Sequence, residues 1–180
     1  ASEEADGKAR NISGAHIAAE NENESAVLSK NGGSIAVSGS EIKKTGNTTN
    51  DGQSNFYGLN AAVVAETGSS VSLTGVQIES DADGANAVFA TGSGAKITAK
   101  NVKITTKQNS SRGLDATYGG TASAENVEIS TAGAHSAAFA TDRGEGIISV
   151  SGGSAKTAGE GSPVIYSTGN ISVKNISLLN

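Results

Sequence analysis

The segments Gly75-Val76-Gln77-Ile78, Asn101-Val102-Lys103-Ile104 and Asn126-Val127-Glu128-Ile129 follow one another at intervals of 26 and 25 residues. Extended in both directions, the pattern occurs seven times, its second residue falling at Ala15, Ser40, Val76, Val102, Val127, Gly153 and Ile176. An apolar residue stands two places later (Ile17, Ile42, Ile78, Ile104, Ile129, Ala155, Leu178) and another three places earlier (Ile12, Val37, Leu73, Ala99, Ala124, Val150, Val173). Self-similarity at such a period marks a stack of short supersecondary units, each unable to bury its apolar face without its neighbours.

The residue that opens each segment is Gly14, Gly39, Gly75, Asn101, Asn126, Gly152 or Asn175. Gly and Asn enter the left-handed backbone region at least cost. In an unbroken strand, residues three apart point to opposite faces. One left-handed residue between them turns the chain and returns the second side chain to the interior. A third apolar stretch completes each repeat: Ala26-Val27-Leu28, Ala62-Val63-Val64, Ala87-Val88-Phe89, Gly113-Leu114-Asp115, Ala137-Ala138-Phe139 and Val164-Ile165-Tyr166. Three short strands per turn of about 25 residues predict an all-β, right-handed parallel β-helix of about seven rungs. It spans residues 10–180, after an N-terminal extension at 1–9. An antiparallel sandwich would leave the recurring corner chemistry unexplained. Ile171 to Leu178 form an ordinary rung with nothing resembling a cap, so the rod is expected to continue in a longer solenoid or to be closed by a partner.

Composition agrees with a narrow, repetitive core. Of 180 residues only 3% are aromatic, and Cys, Met and Trp are absent, leaving small and β-branched side chains that suit sheets. Without cysteine there are no disulfides, no thiolate-ligated zinc and no thiol catalysis. The net charge is −5 and the basic residues are scattered, so the basic stripe that nucleic-acid binding needs is missing. No apolar run approaches the roughly 20 residues that cross a bilayer as a helix.

The pattern breaks in two informative places. One repeat has 36 residues, the excess lying in a polar, Gly/Asn-rich run at about 43–58 that ends in Phe56-Tyr57. Such an insertion is expected to project as a loop, and its aromatic pair either makes contacts or folds back over the neighbouring rung. The second break is in the third strands. Leu28, Val64, Phe89, Asp115, Phe139 and Tyr166 are expected to share one column, and a carboxylate in it is costly to bury. Asp115 therefore marks that column as the outer one, with Phe89, Phe139 and Tyr166 displayed along a lateral face. Rings beside a carboxylate suit sugars. The alternative is that the column is covered, or faces inward as a stacked ladder.

Other chemistry is thin. Asp81-Ala82-Asp83-Gly84 opens like a calcium loop but lacks the later ligands, so calcium at Asp81 and Asp83 is the one cofactor the sequence admits. Asp115, Arg112, Asp142, Arg143 and His135 are the candidates for acid–base work on a polysaccharide. Asp142-Arg143 reads as a solvated pair in a turn, and His16 and His135 fall at different points of their rungs, so no triad forms. No catalytic residue is assigned.

The segments Gly75–Ile78, Ala87–Gly92, Asn126–Ile129 and Ala137–Thr141 resemble the β-helical passenger domains of bacterial autotransporters and related adhesin-like surface proteins, within the pectate-lyase-like solenoid group. Ser162-Pro163-Val164-Ile165-Tyr166-Ser167-Thr168-Gly169-Asn170-Ile171-Ser172-Val173 is similar to bacterial surface β-helices as well. The resemblance covers about residues 10 to 180 and implies an extracellular or cell-surface protein. The function expected from it, from the lateral face and from the inserted loop is binding of a host or environmental glycan or cell-surface protein, with self-association through the ends or side of the rod as a further partner mode. No lyase motif carries over. A polysaccharide lyase or hydrolase is the second reading, and a passive stalk the third.

Overall fold

The computed structural model describes residues 1–180. Each turn sends one strand to a seven-stranded parallel sheet: β1 (Glu3–Asp6), β4 (Val27–Lys30), β7 (Val63–Ala65), β10 (Val88–Thr91), β12 (Leu114–Thr117), β14 (Phe139–Thr141) and β16 (Ile165–Tyr166). The rest of each turn enters a ten-stranded bent sheet of β2 (Ala9–Ser13), β3 (His16–Ala19), β5 (Ser34–Ser38), β6 (Glu41–Lys44), β8 (Ser70–Thr74), β9 (Gln77–Ser80), β11 (Lys96–Thr106), β13 (Thr121–Thr131), β15 (Ile147–Thr157) and β17 (Asn170–Leu179). Every pairing is parallel, and each strand pairs with its counterpart one turn away. The chain is a parallel β-solenoid of seven turns.

The bend of the second sheet sits at the Gly/Asn positions. Gly14, Gly39, Gly75, Asn101, Asn126, Gly152 and Asn175 all have φ between 53° and 81°. On either side, Val102 pairs with Val127 and Val127 with Gly153, while Ile104 pairs with Ile129. The corner thus sends the apolar positions of both legs into one core of 34 buried residues that runs the length of the rod. The opposite corner uses a device not foreseen from the sequence. Backbone N–H groups of Ala85, Ser111 and Ser136 donate to the hydroxyls of Ser111, Ser136 and Ser162, each one turn along, at 2.9–3.1 Å. These buried serines satisfy amides that the ladder leaves unpaired, which would otherwise cost about 1–3 kcal/mol each.

Three expectations need correction. Residues 1–9 are part of the stack, because β1 pairs with β4 over Glu3–Asp6 and Val27–Lys30. Phe139 is not in the outer column: it pairs with Leu114 and Ile165, whereas Asp115 pairs with Ala140 and Ala140 with Tyr166. From β7 onward the turns alternate between 25 and 26 residues along this sheet, and a one-residue shift moves a side chain to the other face. Phe139 is fully buried in the main core.

The third correction concerns the insertion, which does not project. Asp51–Tyr57 form a single helix, α1, capped by the Asn50 side chain accepting from the Gln53 N–H at 3.0 Å and ended by Gly58 at φ 72°. The helix lies on the outer face of the seven-stranded sheet. Its Ser54 carbonyl accepts from Asn86 Nδ2 at 3.2 Å and its Phe56 carbonyl from Thr117 Oγ1 at 2.8 Å. A Cβ on Gly58 would meet the Phe89 ring at 2.8 Å. Phe89, Val64 and Ala61 consequently form a second, smaller buried cluster, with Leu28 packed against it.

Candidate functional site

The outer face of the seven-stranded sheet is covered by α1 over one half and open over the other. At the boundary, β12 presents Asp115, whose side chain is 0% exposed. Arg112, on the turn leading into β12, reaches it with Nη1 at 2.9 Å, and the same atom lies 3.4 Å from the Asn55 carbonyl of α1. Arg112 Nη2 sits 3.1 Å from Asp142 Oδ2, one turn along. Asp142 therefore pairs with Arg112 and not with its chain neighbour Arg143. Arg143 instead lies over the Phe56 ring, 3.8 Å from its centroid, a cation–π contact that pins the helix end. Tyr57 stacks on Tyr118, with centroids 5.0 Å apart and planes at 11°.

Burial pushes the Asp115 carboxyl up to about 6, against the opposing charge and hydrogen bond of Arg112, and Asp142 raises it further. Burial works against the Arg112 cation too, but Asp115 and Asp142 outweigh it and hold its pKa above the usual value. Asp115 Oδ1 has no hydrogen-bonding partner, so a buried acceptor next to the helix is left open.

Beyond this cluster a cleft of about 370 Å³ opens between Asn55 of α1, Arg112, His135, Pro163 and Tyr166. Tyr166 is 44% exposed, with the Arg112 guanidinium carbon 6.0 Å from its centroid. A larger, shallower groove of about 780 Å³ follows the other sheet, along Ser72, Thr98, Ser123, Ser149 and Ser172. It has no aromatic side and was not foreshadowed by any motif.

The structure thus gathers Phe56, Tyr57, Asp115, Tyr166, Arg112, Asp142, Arg143 and His135 on one face. Phe89 lies beneath α1 and Phe139 in the core, and neither is available for contact. His16 is elsewhere, exposed and 2.9 Å from Glu41. Asp81 accepts from Gln108 Nε2 at 2.8 Å and Asp83 from the Asn109 N–H at 3.1 Å, and no three His, Asp or Glu side chains stand close enough together to hold a metal ion. Tyr118 and Asn55 belong to the site and were missed. Tyr118 is one of only three tyrosines, and that rarity is the sequence signal that singles it out. Asn55 could be placed only once the insertion was known to be helical. Comparisons with protein-family models, curated proteins and solved structures find no match. What defines this protein's class is its architecture, an all-β parallel solenoid carrying a helix on one lateral face.

Proposed function

We propose that this chain is an adhesin-like β-solenoid of the kind found in autotransporter passengers, acting outside the cell or on a bacterial surface. It binds a glycan or cell-surface protein through the α1-flanked lateral face. One observation carries this reading: of the six Phe and Tyr residues, five (Phe56, Tyr57, Phe89, Tyr118, Tyr166) lie on that one face, and Tyr57 and Tyr166 are 48% and 44% exposed. Exposed rings beside charged hydrogen-bonding groups are how proteins hold amphipathic ligands. The second reading, a polysaccharide lyase or hydrolase, is favoured by the carboxylates of Asp115 and Asp142 on successive turns, bridged by Arg112. Against it, Asp115 is fully buried and one of its oxygens is committed to Arg112. A glycan array probed with the labelled chain tests the first reading, together with incubation on acidic and neutral polysaccharides with and without calcium. Binding without new reducing ends or unsaturated products is expected. Turnover that disappears in Asp115→Ala would establish the enzyme instead, and neither binding nor turnover would leave a stalk.

A further inference from the structure

We infer that the cleft between α1 and the last two turns is a subsite for a single uncharged pyranose ring, laid against Tyr166 and hydrogen-bonded by Asn55, Ser110 and His135. This rests on the glycan-binding reading above and goes further by naming the position and charge class of the sugar.

The first observation is which hydrogen-bonding groups are already engaged. Around this corner most polar side chains are engaged within the protein. Asn109 Oδ1 accepts from the Ala134 N–H at 2.9 Å, and the Ser111, Ser136 and Ser162 hydroxyls all hold backbone groups. The cleft is different. The side chains of Asn55, Ser110, His135 and Tyr166 line it and make no hydrogen bond to any protein group. An amide, a hydroxyl, an imidazole and a phenol together offer both donors and acceptors, which matches a ring of hydroxyls and not a single charged group.

The second observation is how His135 is held. It occupies a left-handed position, φ 54°, in a corner column whose neighbours are Ser110 and Gly161, at 53° and 62°. A Cβ on Gly161 would lie 2.9 Å from His135 Nδ1, so the glycine makes the room in which the imidazole rests. The left-handed conformation is that of the whole corner column, and histidine is among the residues that enter it most readily.

The third observation is charge. Arg112 is the cation nearest the ligand space, but it lies between Asp115 and Asp142. With Arg143 at the helix end, the two cations and two carboxylates cancel. A uronate or sialate would meet a guanidinium already neutralised, beside two carboxylates of its own sign. A neutral ring meets no such opposition. Its apolar face can lie on Tyr166, with Ala137 and Pro163 completing the apolar lining. A volume of about 370 Å³ is at the small end for ligand sites, as a subsite for one ring requires.

The chain has two histidines, which makes the test direct. Imidazole resonances of His135 and His16 are followed by NMR while short neutral oligosaccharides of glucose, galactose, mannose and N-acetylglucosamine are added. Galacturonate and sialyl oligomers form a second arm. At least one neutral sugar should shift His135 and leave His16 in place. Tyr166→Ala and Asn55→Ala should each weaken that binding roughly fivefold to tenfold, about the worth of one aromatic or hydrogen-bonded contact. Lys103→Ala, on β11 of the ten-stranded sheet, should leave it unchanged. Binding only of acidic sugars overturns the charge assignment. Neutral-sugar binding lost in Tyr57→Ala but kept in Tyr166→Ala overturns the cleft while leaving the lateral glycan reading standing. No sugar binding in either arm overturns both.

Discussion

Replacing Gly153 separates what the repeat pattern recommends from what the backbone allows. Gly153 pairs with Val127 on one side and Ile176 on the other, and alignment of the turns makes valine the natural choice there. Filling the position would bury apolar surface worth about 1.5–3 kcal/mol for a valine and less for an alanine. The backbone opposes it. Gly153 has φ 114°, and an added Cβ would lie 1.9 Å from the Val127 carbonyl oxygen. Such a conformation costs a non-glycine residue about 1–3 kcal/mol, and the contact is with backbone of the ladder, which cannot swing aside. For Gly153→Ala, where little burial compensates, a net loss on the order of 2–4 kcal/mol is expected. Gly152→Asn is the control. Gly152 has φ 81°, the nearest atom to its added Cβ is 3.7 Å away, and Asn already serves at the neighbouring corners Asn126 and Asn175. That change should stay within about 1 kcal/mol of the parent. Urea unfolding followed by far-ultraviolet circular dichroism reads both, with midpoints compared because stacked repeats need not unfold in two states. A Gly153→Ala midpoint at or above the parent would mean that this turn relaxes to its neighbours' geometry, and the reasoning would fail.

Stability should fall as pH rises from about 4 to about 6. Asp115 binds its proton more tightly in the folded chain, with its pKa raised from 3.8 to about 6, so its stabilising share is present below that window and lost across it. The full swing is on the order of 3 kcal/mol, and urea midpoints against pH should be flatter in Asp115→Asn. Lys44 is fully buried, its ammonium donating to the Asn21 carbonyl at 2.8 Å. Burial lowers its pKa to about 8, so stability should rise between about pH 8 and 10.5, and Lys44→Met should abolish that rise. Phe89→Ala should cost about 3–5 kcal/mol and loosen α1, seen as faster proteolysis between residues 45 and 60; an unchanged cleavage rate would refute the packing of the helix on that ring.

The solenoid was legible because its determinants are local and repeated. A left-handed residue every turn, flanked by apolar residues at fixed offsets, leaves few other folds. All seven corners were placed by residue type alone, and all seven have positive φ. Register in the third strands was less secure. Ala137-Ala138-Phe139 and Ala87-Val88-Phe89 look alike, and the difference between turns of 25 and 26 residues decides which ring is buried. Composition cannot resolve a one-residue offset between two short apolar runs, whereas the hydrogen-bonded ladder does.

The site was half legible, for a reason that connects the two irregularities in the sequence. In the sequence the long repeat and the carboxylate at Asp115 are unconnected features, one reading as a loop and the other as a marker of an exposed column. In the structure each accounts for the other. Phe89 in the outer column requires cover, and the 36-residue turn supplies it as a helix. Asn50 and Gln53, spaced as in a capping box, and the terminating Gly58 were its sequence signals, masked by Gly52 and Asn55, which are weak helix formers. Once the helix is in place, its end abuts the next turn, where Asp115 becomes buried and must be paired. Arg112 meets that need and at the same time reaches the helix carbonyl of Asn55. An exposed column would have displayed rings in a row. A covered one makes an edge, and it is at the edge that Tyr166, His135 and Asn55 meet.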